Sequence, residues 1–494
     1  MEAFINWLVG VLWSSPMIYG CLAVGLLFSI LTRFLQVRHI KHMFVLMFKG
    51  KSSDAGVSSF QALALALSGR VGTGNIAGTA TAIAFGGPGA VFWMWAIAFI
   101  GASSAFIEST LAQIYKEKQD GEYRGGPAYY IEKGIGLKWY AVIFAISALL
   151  AVGILMPGIQ SNSIALAVDN AFGLNTNITA IIIIALLAAI IFGGVKRIAK
   201  TAAYVVPFMA IGYILLALII IAMNITELPA VIGLIFRSAF ALDSAFGGII
   251  GLAISWGVKR GIYSNEAGQG TGPHAAAAAE VSHPAKQGLV QAASVYIDTL
   301  LVCSATAFMI IFTGMYNTQA ADGSFIVENL KGIAAGPAYT QAAIDSVIPG
   351  FGSGFVAIAL FFFAFTTIMA YYYIAETNIA YLTKGRNSKI PMLILKVVLL
   401  ASTYYGAVKS ADMAWALGDV GLGLMVWLNM IAILILAKPA LATFKDYEAQ
   451  RKQGLDPVFD PVKLGIKNAD YWVDEYKYEG DDPSPKGKDK SFTA

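Results

Sequence analysis

The chain has 494 residues, 57% of them hydrophobic and only 13% charged, with a mean hydropathy of +0.67. Soluble domains run at about 45–50% apolar and about 25% charged, so a water-soluble enzyme, a secreted disulfide scaffold and a disordered chain are all excluded. The net charge of +4 is too small and too dispersed for a nucleic-acid binder, and Cys21 and Cys303, the two cysteines, each sit inside an apolar run and supply neither a disulfide framework nor a zinc site.

A membrane helix needs about 20 mostly apolar residues. Runs of that kind occur at 15–35, 57–85, 88–113, 139–167, 177–195, 202–223, 244–270, 288–315, 352–383, 390–408 and 411–437, which predicts eleven spans. Met1 to Pro16 has no basic n-region and no small-residue cleavage site, so it is not read as a removable signal peptide. Basic residues collect after the first span (Arg33, Arg38, Lys41, Lys49, Lys51), the fifth (Lys196, Arg197, Lys200) and the ninth (Lys384, Arg386, Lys389). Under an eleven-span count these segments share one side, which the positive-inside rule makes cytoplasmic, with the N-terminus outside and the tail 438–494 inside. The tail is rich in Lys, Asp, Glu, Pro and Tyr and reads as solvated, disordered toward Asp481–Lys490, with a regulatory role as the alternative.

Two spans are unsuited to plain helices. The second carries Ser68-Gly69-Arg70-Val71-Gly72-Thr73-Gly74-Asn75-Ile76-Ala77-Gly78 at its centre. Gly costs about 1 kcal/mol against Ala within a helix, and a central Arg costs about 2.5–3.5 kcal/mol on insertion scales. The seventh repeats the pattern with Ser255-Trp256-Gly257-Val258-Lys259-Arg260-Gly261 and Asn265-Glu266-Ala267-Gly268-Gln269-Gly270. Spans five apart cross the membrane in opposite directions, and interrupted spans at matching places in two inverted halves point to a transport site near the midplane. Unwound carbonyls there suit a cation and half-helix amides suit an anion, which together suit a zwitterion travelling with a cation. Close packing of small residues is the alternative reading of such glycines. Gly72-Thr73-Gly74-Asn75-Ile76-Ala77 also matches a dinucleotide fingerprint, but it has neither a preceding strand nor an acidic residue about 20 positions on. No His-Glu-x-x-His, Gly-x-Ser-x-Gly or cluster of metal ligands is present, so the chain is not read as an enzyme.

Asp298 lies deep in its span, where an acid is functional by default; an ion pair with Arg70, Lys259 or Arg260 is one role and cation binding the other. Glu108 ends the third span and reads as a helix-end partner for basic residues, while Glu266 and Glu376 read as gate pairs or packing. Tyr371-Tyr372-Tyr373 reads as filler or lining. His39, His42, His274 and His283 lie at or near loops, which favours sodium over protons as the coupling ion.

Gly56-Val57-Ser58-Ser59-Phe60-Gln61-Ala62-Leu63, Arg70 to Gly78, Gly86-Gly87-Pro88-Gly89-Ala90-Val91-Phe92-Trp93-Met94-Trp95, Gly257-Val258-Lys259-Arg260-Gly261, Ser264-Asn265-Glu266-Ala267-Gly268, Asp298 to Cys303 and Phe363-Ala364-Phe365-Thr366-Thr367 resemble the alanine or glycine:cation symporters. The resemblance spans about residues 15–440. It implies sodium-coupled uptake of L-alanine, often also D-alanine or glycine, through the inner membrane of a bacterium or archaeon. It also implies an all-α fold like that of the bacterial leucine transporter, a five-plus-five inverted repeat with two discontinuous helices. Here that division gives an extra N-terminal helix and loop (1–56), repeats at 57–224 and 225–437, and a cytoplasmic tail.

Carried over residue by residue, the resemblance puts sodium on the carbonyls of Ser68, Val71 and Phe363 and the hydroxyls of Thr366 and Thr367, donors that a hard cation prefers. It puts the substrate carboxylate on the amides of Thr73 and Gly74 beside Gly72, with Asn75 available to a second sodium site. Ser255, Trp256 and Gly257 would flank the substrate, Trp256 as an aromatic wall. Gln160 and Asn162, on a helix that lines the pocket in this fold, are either substrate contacts or interhelical glue. Arg70, Lys259, Arg260, Glu266 and Asp298 supply gate or charge pairs. No cofactor is expected beyond the coupling ion. A proton-coupled carrier, or one selective for glutamine or serine, is the alternative.

Overall fold

The computed structural model describes residues 2–476 apart from residues 51, 194 and 244. Helix α1 (Glu2–Leu12) and α2 (Ser15–Leu31, with Pro16 in its first turn) form the first apolar stretch, so the helical path starts at Glu2 and not at residue 15. Helix α3 (Ser59–Arg70) opens on a capping box: Gln61 N donates to Ser58 Oγ at 3.2 Å and Ser58 N to Gln61 Oε1 at 3.0 Å. The chain unwinds at Val71–Gly72 and rewinds through a wide π-type turn, Gly74–Gly78, into α4 (Thr79–Gly86). After α5 (Gly89–Ile114) comes an antiparallel hairpin of β1 (Glu117–Gln119) and β2 (Glu122–Arg124). Helix α6 (Lys138–Leu150) passes through a second π-type turn into α7 (Pro157–Phe172), followed by α8 (Thr176–Ile191), α9 (Val195–Met223) and α10 (Leu228–Ala239).

The second interrupted path runs from α11 (Ile250–Asn265) across residues 266–271 to α12 (Gly272–Ala277). Beyond it lie α13 (Pro284–Val295), a π-type segment Tyr296–Cys303 and α14 (Ser304–Thr313), then a second small hairpin, β3 (Asn317–Gln319) with β4 (Phe325–Glu328). Helices α15 (Gly352–Leu382), α16 (Lys389–Val408), α17 (Ala411–Ile435) and α18 (Ala437–Lys452) complete the set.

Among the described residues, eight helical stretches are long and apolar enough to cross a membrane, and α8 is apolar but shorter. The polarity is inverted relative to a soluble protein. Ile178, Ile181, Phe208, Ile211 and Leu215 on α8 and α9 are exposed, as suits a surface solvated by lipid, while Arg70, Asn75, Glu108 and Asp298 are buried inside. The chain is a multi-pass helical membrane protein.

The helices sort into two packed groups. Helix α5 lies along α11, α12 and α13; α7 lies along α15 and α16, and α15 along α6. Glycines allow the closest approaches: a methyl on Gly257 would collide with the Ala90 carbonyl oxygen, and one on Gly406 with the Gly158 backbone.

One face gathers the charged connections. Val57 N donates to Ala278 O at 2.9 Å, Tyr123 N to Ala55 O at 3.1 Å, and Lys384 Nζ meets Glu117 at 2.7 Å. The tail belongs to this face and, over its described part, is not a solvated strand. Tyr447, Phe459, Tyr471 and Trp472 are buried against it. These scattered aromatics form no apolar run, so hydropathy does not register them, yet each brings a large apolar ring. Asp481–Lys490 lies outside the described residues.

Because Gly257 meets backbone and Gly251 meets open space, the two glycines should respond oppositely to a methyl group. Gly257→Ala should lower the thermal midpoint in detergent, by the about 1–3 kcal/mol typical of overpacking. Gly251→Ala should hold or raise it through helix propensity; equal behaviour would refute this packing of α11 on α5.

Candidate functional site

At the first break Val71 N still bonds back to Leu67 O at 2.7 Å, but the next amides turn elsewhere. Gly72 N donates to Asn75 Oδ1 at 2.8 Å, and Thr73 N donates to Gln160 Oε1 of α7 at 3.0 Å. Gln160 Nε2 in turn donates to Tyr263 OH of α11 at 3.1 Å and lies 3.5 Å from Tyr371 OH of α15. A methyl on Gly72 would collide with Thr367 Oγ1 of α15 and come within 3.0 Å of Gln160 Oε1, so only glycine fits. Four elements thus converge on Gly72 and Thr73, and the ring of Trp415 from α17 lies 5.2 Å from that of Tyr263. An amide at the start of a rewinding helix is a place for an anion, and the Gln160 carbonyl oxygen occupies it.

Thr367 faces this centre from α15, and Thr366 is its neighbour on the same helix. Thr366 Oγ1 donates to Phe363 O at 2.9 Å and Thr367 Oγ1 to the same carbonyl at 3.0 Å, and both side chains are fully buried. Ser68 is buried as well, its hydroxyl donating to Leu65 O at 2.7 Å. Each hydroxyl donates its proton backward along its own helix and keeps oxygen lone pairs for a cation.

The second break lies at 266–271, where Gly268 (φ +79°) and Gly270 (φ +87°) take left-handed conformations suited to glycine. Their amides donate to the two oxygens of Glu108, each at 3.1 Å, and Asn429 Nδ2 adds a third bond at 2.7 Å. Among the described residues Glu108 makes no ion pair in direct contact, although Arg70 acts on it electrostatically; it is the carboxylate that satisfies the unwound backbone. The Arg70 guanidinium donates to Ser294 and to Gln291 at 3.3 Å and reaches the start of α12, where a methyl on Gly272 would come within 2.6 Å of it. From the other side, the Glu266 carboxylate faces Gly69 of α3. Each break thus leans on the residue flanking the other.

The structure separates other residues from this centre. Ser255, Trp256 and Gly257 lie on the unbroken part of α11, well before 266–271; Trp256 stacks on Phe85 with ring centres 4.8 Å apart. Their expected place beside the first break is taken by Tyr263 and Ser264, which a methyl on Gly74 would meet at 3.0 and 3.1 Å. Gly257 and Gly261 serve contact with α5, at Ala90 and Ile97, and do not unwind the helix. Asn162 donates to Gly406 O at 3.0 Å and Lys409 O at 2.7 Å, which ties down the end of α16.

Asp298 makes no ion pair with Arg70, Lys259 or Arg260 among the described residues. It accepts from Asn75 Nδ2 at 2.7 Å, Ser264 Oγ at 2.8 Å and Thr299 Oγ1 at 2.7 Å. Lys259 and Arg260 share Asp419 of α17 instead, at 2.5 and 2.8 Å, and the Arg260 guanidinium lies 4.1 Å from the Trp415 ring. Asp419 was legible by the same rule that singles out Asp298, an acid deep in an apolar span. Glu376 lies 3.5 Å from Arg124. His274 is buried at the start of α12, next to the loop at 266–271, and is bonded to Asn378 at 2.9 Å.

Removing the Glu108 carboxylate leaves two buried amides unpaired, at about 1–3 kcal/mol each. Glu108→Ala should therefore lower the thermal midpoint and abolish transport, and Glu108→Gln, which keeps one acceptor oxygen, should fall between it and the parent. Parental stability and uptake in Glu108→Ala would refute the capping role.

The family model described as the sodium:alanine symporter family matches residues 1–461. The protein YrbD of Bacillus subtilis (strain 168) is 76% identical, covering 97% of this chain and 99% of its own length. The sodium/proton-dependent alanine carrier protein of Bacillus sp. (strain PS3) is 59% identical over 87% of this chain and 96% of its own. The sodium/alanine symporter AgcS of Methanococcus maripaludis is 37% identical over 91% and 98%. With buried carboxylate, amide and hydroxyl groups gathered around two helix breaks and a match along nearly its whole length, this chain belongs to the sodium:alanine symporter family, a family of membrane transporters and not of enzymes.

Proposed function

We propose that the chain carries L-alanine, and also D-alanine or glycine, inward across the cytoplasmic membrane of a prokaryote together with sodium, by alternating access. The observation that carries this reading is the convergence at the first break: a helix-start amide on Thr73, the Gln160 amide and the Thr367 hydroxyl enclose a place that admits no methyl group on Gly72. In the proposed loaded state the substrate carboxylate takes the Thr73 and Gly74 amides as Gln160 turns aside, its ammonium meets Gln160 and the Tyr263 and Tyr371 hydroxyls, and sodium lies against Ser68, Val71, Phe363, Thr366 and Thr367. Tyr263 and Trp415 provide the aromatic wall that keeps the site small.

The same reading takes repeats at 57–224 and 225–437, with the N-terminus outside and the tail inside. Lys259, Arg260 and Asp419 then form the outward gate, a charge cluster in α11 and α17 that must part for substrate to enter. A potential of 100 mV supplies about 2.3 kcal/mol per charge, and a tenfold sodium gradient adds about 1.4 kcal/mol. One sodium per alanine thus sustains accumulation of several hundred-fold, on the rule of tenfold per about 1.4 kcal/mol.

One observation favours protons as a second reading. Asp298 is fully buried and its hydrogen-bonding neighbours Asn75, Ser264 and Thr299 are all neutral, so a proton there would cancel a formal charge. A relative's description as sodium/proton-dependent is in keeping with this. Labelled alanine uptake into proteoliposomes separates the two: an inward sodium gradient should drive uphill uptake and a proton gradient alone should not. Proton-driven uptake without sodium would transfer the coupling to Asp298, and potent competition by glutamine would overturn the small-substrate assignment. Thr366→Ala with Thr367→Ala should raise the half-saturating sodium concentration about tenfold or more, the equivalent of about 1.4 kcal/mol. Unchanged sodium dependence would remove those hydroxyls from the site.

A further inference from the structure

The tail after α18 grips both packed groups of helices on the charged face. On one side, Phe459 N donates to Ser282 O at 2.9 Å, Ser282 Oγ to Pro457 O at 2.8 Å, and Lys286 pairs with Asp456 at 2.5 Å, all at the start of α13. Trp472 Nε1 donates to Gln113 O near the end of α5 at 2.8 Å. A further anchor is Lys116; burial disfavours its charge and lowers its pKa to about 7. Its buried ammonium donates to Ala279 O at 3.0 Å and lies 4.2, 4.7 and 5.2 Å from the rings of Tyr123, Tyr471 and Trp472. Two of those three rings come from the tail. A desolvated ammonium enclosed by aromatic faces is held strongly.

On the other side, Asn468 Nδ2 donates to Lys133 O at 2.8 Å and Asp470 pairs with Lys133 Nζ at 2.8 Å. Lys133 stands just ahead of α6 and also holds Glu117 at 2.9 Å, which Lys384, beyond the end of α15, holds at 2.7 Å. This second grip is shallow, since the Asp470 side chain is 59% exposed. The α5–α11–α12–α13 group and the α6–α7–α15–α16 group meet at the site, where Tyr263 of the first contacts Gln160 of the second. Separating them on this face breaks one grip or the other. Both include an exposed carboxylate, Asp456 at 65% and Asp470 at 59%, but only the first adds the buried Phe459 ring and the enclosed Lys116, so the Lys133 pair gives way first.

We propose that residues 456–472 are a latch that holds the site closed to the cytoplasm, staying seated on Lys116 while its Lys133 end releases to let the two groups part. The inference rests on the alternating-access reading above. Its reporter is a cysteine at Ala370, which is buried on α15 one turn from Thr367, faces Gly69 of α3 and is distinct from every tail contact named here. The full-length Ala370→Cys chain in oriented vesicles is treated from the tail side with an impermeant maleimide, and the parent chain, whose Cys21 and Cys303 are buried, gives the background.

Asp470→Asn with Asn468→Ala, which alters exposed side chains, should speed labelling about fivefold, as should Trp472→Ala. Unchanged labelling in both variants overturns the latch. Faster labelling in Trp472→Ala alone overturns release at Lys133. Sodium-driven alanine uptake measured in the same vesicles keeps the two readings apart: driven uptake with unchanged labelling defeats the latch alone, and absent uptake defeats the transport reading beneath it.

Discussion

Hydrocarbon supplies no hydrogen bonds, so a helix that unwinds inside a membrane strands backbone groups at several kcal/mol each unless the protein satisfies them. That demand organises this molecule. At the first break the amides of Gly72 and Thr73 are met by Asn75 and Gln160, and at the second the amides of Gly268 and Gly270 are met by Glu108. Asn75 is local, but Gln160 comes from α7 and Glu108 from α5, so each break is completed only in the assembled fold. The two differ in kind. A carboxylate fixes the second break, whereas the first is held by a neutral amide.

Charge follows the same logic. Arg70 is buried beside both breaks and bonded to Gln291 and Ser294, while Lys259, Arg260 and Asp419 form a separate cluster on α11 and α17. Buried ion groups of this kind are poor sources of stability, because desolvation offsets most of their attraction. The surfaces of α8 and α9 expose apolar side chains such as Ile178, Ile181, Phe208, Ile211 and Leu215.

Much of this was legible in the sequence, for identifiable reasons. The spans follow from apolar run length, and the break at Val71–Gly72 from glycines and an arginine that no plain membrane helix tolerates. Of the two glycine-rich stretches in the seventh span, the later one, Asn265–Gly270, is where the chain unwinds; Gly257 and Gly261 of the earlier one, beside which the substrate contacts were expected, press α11 onto Ala90 and Ile97 of α5. Whether a glycine unwinds or packs depends on its neighbours in space, which one sequence does not carry. The same blindness hid the capping role of Glu108, the bond from Asn162 to the end of α16 and the sharing of Asp419, all contacts between residues more than 150 positions apart. The tail was misread because its buried rings are scattered among charges, and hydropathy averages them away.

The account depends on the first break closing against Thr367 and Gln160 with no room for a side chain on Gly72. Equilibrium binding of labelled L-alanine to purified Gly72→Ala protein, with and without sodium, tests this directly, alongside its thermal midpoint. The account predicts a folded protein whose sodium-dependent alanine binding is lost, since the added methyl occupies the meeting point of the four elements. Sodium-dependent binding at the parental level in a folded Gly72→Ala protein would contradict it and move the site away from this break.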